Sequence, residues 1–209
     1  MFLNAVADPL LQLIAELSHR HDIVDRFYLA GGTALALQCG HRTSVDLDFF
    51  SQDQFNSEQI ATAIIETGGQ VIQSETYSVH GVSAGVKMSF FHYPYPLLQP
   101  LLSFQAILIA SVDDIAAMKA VAISQRGDKK DFFDMYEILK KIPPSALKRL
   151  FLSKFSEPRI NCYHILKSFF YFDDADLQPD PISLNGTTWE QVKTYFTNNE
   201  KQIMKELLC

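Results

Sequence analysis

Length, composition and charge limit the classes of protein to which this chain can belong. Its 209 residues are 47% hydrophobic, enough to form the core of one domain, or of one domain with a helical extension. The formal net charge of -6 argues against a broad surface that tracks phosphates, so any nucleic acid is expected to bind locally. The apolar stretches are too short or too interrupted to span a membrane, and no secretion signal is recognisable, so we expect a cytoplasmic protein without membrane partners. The 3 cysteines are widely spaced and predict neither a disulfide framework nor a zinc site.

The first predicted elements are a helix and a short strand. Residues 9–26 place apolar side chains at close to helical spacing, with Asp8 positioned as a cap and Pro9 in the first turn. Residues 27–30 form an apolar run that is typical of a buried strand. The chain therefore begins with an amphipathic helix that leads into a sheet.

A Gly-Gly turn follows this strand. Residues 33–39 have the composition of a helix, and Gly40 is placed to end it. When a strand ends at Gly31 and Gly32 and opens into a helix at Thr33, free N–H groups, the positive helix end and a hydroxyl meet at one point. That arrangement suits a phosphate group. A tight turn without a ligand would have the same sequence, so the pattern alone leaves both interpretations open.

An acidic strand is predicted next. Residues 45–50 alternate apolar and acidic side chains, so Asp46 and Asp48 point to the same face. Paired carboxylates suit Mg²⁺ held together with a triphosphate, whereas a solvated acidic face is the simpler alternative. The apolar neighbours Leu47 and Phe49 indicate an interior strand, where paired acids need compensation. The metal-binding interpretation is therefore favoured.

Two further strands and a helix are predicted downstream. Residues 57–66 carry an apolar stripe at helical spacing. Residues 71–79 and 82–91 are predicted to pair as strands around His80-Gly81. The sheet is expected to be mixed.

A proline-rich segment separates these strands from the last one. Three prolines exclude a regular central strand over residues 94–100, and residues 106–110 are a short run that favours a further strand. The aromatic run over residues 90–95 either packs beneath the proline-rich loop, which is the simpler interpretation, or stacks on a base.

The second half of the chain is predicted to be helical. Ser111 and Asp114 have the spacing of a capping box before a helix over residues 115–124, which Gly127 ends. The further predicted helices cover residues 129–141, 147–155, 162–172 and 189–208, with a polar loop over 173–186.

These elements predict an α+β protein with a mixed sheet followed by a helical half. We expect an α/β core over residues 1–110 and a helical region over residues 111–209 that completes the functional site. The site would then lie between the two parts.

Four segments, taken in order, resemble motifs of the AbiEii/AbiGii toxin family of polymerase-beta-like nucleotidyltransferases. The first two are FYLAGGTALAL at residues 27–37 and HRTSVDLDFF at residues 41–50. The others are DDIAAMKAVAISQR at residues 113–126 and KDFFDM at residues 130–135. The order of the four makes the resemblance specific, and no recognisable motif follows residue 142.

The resemblance implies that a nucleoside monophosphate moves from an NTP to a hydroxyl group of RNA or protein. It also implies the role of toxin in a toxin–antitoxin pair, with an antitoxin protein as partner. Mg²⁺ would be bound by Asp46 and Asp48, and Lys119 would neutralise triphosphate charge, although a helical lysine is ordinarily a solvated surface residue. The implied phosphate contacts are Gly31, Gly32 and Thr33.

Four other residues have open roles within the matching segments. Asp131 and Asp134 share a helix face, where they would orient Lys119, complete a metal shell, or simply pair with neighbouring basic residues. Arg42 and Ser44 would steady the acidic strand or contact phosphate, unless they are ordinary loop residues.

One position departs from the pattern of polymerase-beta-like relatives. These proteins commonly present a third carboxylate on a later strand, and the corresponding stretch of this chain has Ser89. Either a downstream aspartate substitutes for it, or the protein is a catalytically degenerate nucleotide-binding protein or a regulatory interaction module.

Overall fold

The protein is built around one mixed sheet. The computed structural model describes residues 1–155 and 162–207. The strands are β1 (Tyr28–Ala30), β2 (Asp46–Ser51), β3 (Gln70–Glu75), β4 (Ser78–Ser83), β5 (Val86–His92), β6 (Leu102–Phe104) and β7 (Ile107–Ile109). They form a seven-stranded sheet in the order β3-β4-β5-β2-β1-β7-β6. Strand β2 runs antiparallel to β1 and parallel to β5, so the prediction of an α+β fold with a mixed sheet is confirmed.

Helices make up most of the remaining structure. After a short 3₁₀ turn at Leu3–Ala5, they are α1 (Asp8–Leu17), α2 (His21–Val24), α3 (Gly31–Cys39), α4 (Ser57–Glu66), α5 (Val112–Arg126), α6 (Lys129–Leu139), α7 (Pro144–Lys154), α8 (Cys162–Ser168), α9 (Asp173–Asp176) and α10 (Trp189–Leu207). Within the described residues, none of these helices has the length and apolarity to cross a membrane.

The predicted first helix is wrong in its length. The structure has α1 and α2 in its place, because the backbone at Arg20 is extended with φ -103° and ψ 104°. Asp8 lies inside α1, and Ala7 occupies the cap position. The predicted helix over residues 162–172 ends at Ser168, and α9 lies within the predicted loop. Residue 208, the predicted end of the last helix, lies outside the described residues.

The predicted pair of strands around His80-Gly81 is also wrong. Gly81 lies within β4, and the turns fall at Tyr77 and at Ala84-Gly85, where φ is positive. A Cβ at Gly81 would lie 2.8 Å from Cγ2 of Ile64 in α4 and 2.9 Å from the carbonyl oxygen of Gln70. The glycine is therefore required by the close packing of α4 on the sheet, and it does not mark a turn.

Helix α5 is the element that brings the second half of the chain to the sheet. Its N-terminus is capped as predicted, since Ser111 Oγ accepts a hydrogen bond of 3.0 Å from the N–H of Asp114. At its other end Gly127 adopts a left-handed conformation with φ 57°, which ends the helix before α6 begins. Helix α5 packs against α3, α6, α7 and α8. The strand side and the helical side of the protein therefore meet along α5.

We predict that Ser111→Ala lowers the free energy of unfolding by about 1–2 kcal/mol, because the first turn of α5 loses its cap. Urea unfolding measures the change. Ser124→Ala in the same helix removes a hydroxyl that only donates to the carbonyl oxygen of Val121, so it serves as the matched control. An equal effect of the two substitutions would contradict the role of the cap.

Candidate active site

The acidic pair lies on one face of β2, as its alternation predicts. Residues of β2 alternate between partly exposed and buried, and Asp46 and Asp48 are on the partly exposed face. Burial of its carboxylate raises the pKa of Asp48; the charge of Lys119 opposes this effect and that of Asp46 adds to it. A cation bound beside the pair would offset the unfavourable charge.

The Gly-Gly turn lies directly against this pair. Helix α3 begins at Gly31 itself, two residues earlier than predicted, and Gly31 has a positive φ of 67°. A Cβ at Gly31 would lie 2.9 Å from Oδ2 of Asp48, and a Cβ at Gly32 would collide with the guanidinium group of Arg42. The absence of side chains therefore allows the helix N-terminus, with its free N–H groups, to approach the carboxylates.

The hydroxyl group of Thr33 faces the acidic strand. It donates a hydrogen bond to the carbonyl oxygen of Asp46 and lies 2.8 Å from Oγ of Ser44, and the residue is 1% exposed. Through these hydrogen bonds Thr33 and Ser44 connect α3 to the start of β2. What the turn offers to a phosphate is the set of backbone N–H groups.

Asp134 is the centre of a buried network of charges. Its Oδ1 accepts hydrogen bonds from Nε of Arg42 at 2.6 Å and from Nε2 of His41 at 2.7 Å. Its Oδ2 lies 2.8 Å from Nη2 of Arg42 and 2.5 Å from Nζ of Lys119. Burial alone would raise the pKa of Asp134, but Arg42 and Lys119 outweigh it and hold that pKa well below its ordinary value.

Asp131 extends the network by one helical turn. Its Oδ1 lies 2.6 Å from Nζ of Lys119, and its Oδ2 lies 2.7 Å from Nε of Arg126. Both aspartates are 0% exposed. Their contacts match both orientation of Lys119 and simple pairing with a neighbouring basic residue, since Asp131 also accepts from Arg126 and the oxygens of both carboxylates are occupied by basic groups. A direct place in a metal shell has no support in this arrangement.

The basic residues of this network line a cleft together with the acidic pair. This charged cleft, as we call it, has a volume of about 480 Å³, a size suited to a nucleotide. The predicted site residues that line it are Gly32, Arg42, Ser44, Asp46, Asp48 and Lys119. Asp131 and Asp134 lie behind it, and Gly31 lines a second cleft that shares Asp48 and Lys119.

Two parts of the charged cleft were not predicted. Arg126 and Lys130 line it, although the sequence pattern singled them out only as partners for the aspartates. The segment 178–182, which belongs to the region without a recognisable motif, also lines it. The carbonyl oxygen of Ile182 accepts the N–H of Thr43 at 2.9 Å, and Lys129 Nζ pairs with Asp180 at 2.9 Å.

The residues present fit a magnesium ion held jointly with a substrate. Within residues 1–155 and 162–207, no group of three or more His, Cys, Asp or Glu side chains has the geometry to hold a metal. Asp46 and Asp48 therefore offer two carboxylate ligands. Mg²⁺ characteristically takes its other ligands from water and phosphate oxygens. The pair suits an ion that arrives with a triphosphate.

Ser89 occupies the position next to the acidic pair where a third carboxylate was expected. It pairs with Asp48 across the parallel strands β2 and β5. Its Oγ lies 3.1 Å from Nδ1 of His80 on β4. At the position where a third acid was expected, the structure has a hydroxyl that contacts a histidine.

The sheet, the Gly-Gly turn and the acidic strand together define a nucleotidyltransferase fold. The structure aligns with MenT4, a nucleotidyltransferase toxin from Mycobacterium tuberculosis H37Rv, with a TM-score of 0.58 and 16% identity over 96% of this chain and 83% of that one. JHP933 from Helicobacter pylori aligns with a TM-score of 0.53 and 15% identity, over 97% of this chain and 94% of that one. At such identities the likeness shows the fold alone.

The sequence also matches one family model over most of its length. The model of the nucleotidyl transferase AbiEii toxin of type IV toxin–antitoxin systems matches residues 15–197, and the chain belongs to this family. An uncharacterised protein of Aquifex aeolicus (strain VF5) is 37% identical over 197 residues, which cover 88% of this chain and 90% of that protein. The resemblance inferred from the four motifs is confirmed.

We predict that Asp134→Asn lowers the free energy of unfolding by about 3–5 kcal/mol, because buried Arg42 and Lys119 lose their shared counter-charge. The folded pKa of Asp134 lies below the value of about 3.9 in an unfolded chain. The contribution of the carboxylate is therefore complete above that value and is lost only as the pH falls through the folded pKa.

Urea unfolding of wild type and variant as a function of pH tests this prediction. The difference is expected to stay constant between about pH 7 and pH 5 and to narrow in stronger acid. Asp53→Asn, at an exposed carboxylate, is the control and should change little. A difference that disappears already near neutral pH would contradict the assignment.

Proposed function

We propose that this protein is a Mg²⁺-dependent nucleotidyltransferase that moves a nucleoside monophosphate from an NTP to a hydroxyl group of RNA or protein. The observation that supports it most is the convergence on the charged cleft of three features: the N-terminus of α3, the acidic pair on β2, and Lys119 held by two buried aspartates. The helix N-terminus would bind phosphate oxygens, the acidic pair would bind the metal, and Lys119 would neutralise charge on the triphosphate.

The basic groups of the cleft favour this activity. Arg42, Lys119 and Arg126 line it, and they are balanced by the buried Asp131 and Asp134 and by Asp128, which lies 3.2 Å from Arg126. A triphosphate needs these cationic groups together with the metal, because neither alone balances its charge.

In the proposed step the acceptor hydroxyl oxygen forms a bond to the α-phosphorus. The bond from the α-phosphorus to the oxygen that bridges to the β-phosphate breaks, and pyrophosphate leaves with that electron pair. The proton of the hydroxyl passes to solvent. Bound Mg²⁺ would offset the charge on the phosphate oxygens. The chain itself contributes N–H groups at Gly31 and Gly32 and the ammonium of Lys119 near the outer phosphates.

The role as toxin belongs to the same proposal. Membership of the AbiEii family supports it. An antitoxin protein as partner and the cytoplasm as location follow from this role. We also propose that residues 1–110 and 111–209 act as two parts of the site, since Asp46 and Asp48 belong to the first and Lys119 to the second.

A degenerate nucleotide-binding protein is the second candidate. Ser89 favours it, because a hydroxyl lies next to Asp48 where polymerase-beta-like relatives commonly present an acid. Such a protein would bind NTP in the charged cleft without transferring it. Incubation with each labelled NTP, Mg²⁺ and either total RNA or cell lysate distinguishes the two functions, since only a transferase labels a macromolecule.

We predict that Asp46→Asn and Asp48→Asn each abolish labelling, because the magnesium ion loses a carboxylate ligand. Asp48→Asn should also raise the free energy of unfolding of the protein without nucleotide, since a partly buried charge beside a second carboxylate is removed. Asp53→Asn is the matched control in both measurements. Equal labelling by wild type and both variants would refute the metal assignment.

We predict that Lys119→Ala weakens NTP binding more than Lys119→Arg does, because charge near the outer phosphates is the main requirement. Calorimetric titration with a non-hydrolysable NTP measures the affinity. Urea unfolding in parallel reports how far the loss of a counter-ion for Asp131 and Asp134 destabilises the fold. Lys87→Ala, at an exposed lysine on β5, is the control. Unchanged affinity in Lys119→Ala would contradict the assignment.

A further inference from the structure

Part of the charged cleft is lined by exposed apolar side chains. Val45 and Ile182 are 63% and 69% exposed, and both line the cleft, as do Pro179 and Pro181. We call these four residues the apolar rim. Contact of large aliphatic side chains with water is unfavourable, so a ligand that covers them gains free energy of binding. The groups that bind metal and phosphate do not account for this surface.

Backbone hydrogen bonds hold the two exposed side chains of the rim in one place. The N–H of Thr43 donates to the carbonyl oxygen of Ile182 at 2.9 Å, and the N–H of Leu184 donates to the carbonyl oxygen of His41 at 2.9 Å. The pairing is antiparallel and places Ile182 beside the segment that leads to Val45 and β2. The two side chains therefore belong to one surface, although they are far apart in sequence.

The polar side chains of segment 178–182 are already paired. Nζ of Lys129 lies 2.9 Å from Oδ1 of Asp180, and the N–H of Lys129 donates to Oε1 of Gln178 at 2.9 Å. The side-chain amide of Gln178 donates to Oδ1 of Asp128 at 3.1 Å. Lys129 is 4% exposed and lies over the ring of Trp189. Because both polar side chains of the segment are engaged, what it presents to a ligand is mainly apolar.

The charges of the cleft separate a place for phosphates from a place for an uncharged group. A triphosphate is attracted by the cationic side chains of Lys119, Arg126 and Lys130, and by the N-terminus of α3. At the rim the charges of Lys129 and Asp180 cancel, so no excess of positive charge attracts an anion there. The large uncharged group of an NTP is its nucleobase. The volume of about 480 Å³ accommodates a base as well as phosphates.

We propose that the apolar rim is the nucleobase site of the charged cleft, and that Val45 and Ile182 contact the face of the base. The inference rests on the proposed function. Aliphatic side chains contact the faces of all four bases and form no hydrogen bonds with their edges, so the size of the base sets the affinity. ATP and GTP should therefore bind alike, and so should CTP and UTP.

Calorimetric titration with two ligands that differ only in the base tests the proposal. The ligands are α,β-methylene ATP and the same triphosphate on a ribose without a base, each with Mg²⁺ and no acceptor. Wild type should bind the first about tenfold more tightly than the second. Ile182→Ala should bind the ATP analogue about fivefold more weakly than wild type and the base-free ligand equally well. Ile182→Leu should restore the affinity, because an aliphatic side chain of similar size is present again.

Leu177→Ala is the matched control. It removes an 88% exposed leucine that precedes segment 178–182 and lines neither the charged cleft nor the second cleft. The affinity of this variant for both ligands should equal that of wild type. Titration of wild type with the α,β-methylene analogues of GTP, CTP and UTP completes the comparison, and a difference above about tenfold between ATP and GTP would contradict recognition by size.

The outcomes distinguish the nucleobase site from the proposed transfer. Equal affinity of wild type for the two ligands, or unchanged affinity of Ile182→Ala for the ATP analogue, would overturn the site. Equal weakening of both ligands in Ile182→Ala would overturn it too, because Ile182 would then support the phosphate site. A loss confined to Phe91→Leu would place the base in the second cleft instead. If every affinity is as expected but no macromolecule is labelled, the transfer is refuted and the nucleobase site stands.

Discussion

The buried charge network around Asp131 and Asp134 is the interaction on which the arrangement of the site depends. Two carboxylates with no exposed surface would be strongly unfavourable without partners. Their partners come from separate parts of the chain, because Arg42 precedes β2 whereas Lys119 and Arg126 lie on α5. Satisfying the charges therefore requires α5 and α6 to dock beside the acidic strand. The same contacts that stabilise the fold thereby position Lys119 at the cleft.

Docking at this place creates two clefts that share one edge. Asp48 lies at their junction, with basic groups on one side and aromatic rings on the other. The difference arises from the sheet itself, because successive residues on one face of β2 change from carboxylate to phenyl between Asp48 and Phe50. A strand holds that change at a fixed spacing. Polar and aromatic surfaces are thus kept apart on one face of the sheet.

Features that depend on neighbouring residues were predictable from the sequence. The alternation in β2, the cap at Ser111 and the glycine stops at Gly40 and Gly127 are all present in the structure. Predictions failed where one local sequence pattern is compatible with two different structures. Gly81 resembles a turn residue but is required by contact with α4, and residues 9–26 keep a helical pattern across the break at Arg20. Local pattern cannot identify the role of Gly81, because the atoms of Ile64 that decide it are distant in sequence.

The sequence by itself determined the family, the face shared by Asp46 and Asp48, and the position of Gly31 and Gly32 between a strand and a helix, because these follow from motif order and from the period of the strand. Only the tertiary structure decided that Asp131 and Asp134 are buried behind the cleft, and that segment 178–182 lines it. Burial and the pairing of charges depend on which elements pack together. That packing is a property of the whole chain, and no local stretch of sequence contains it.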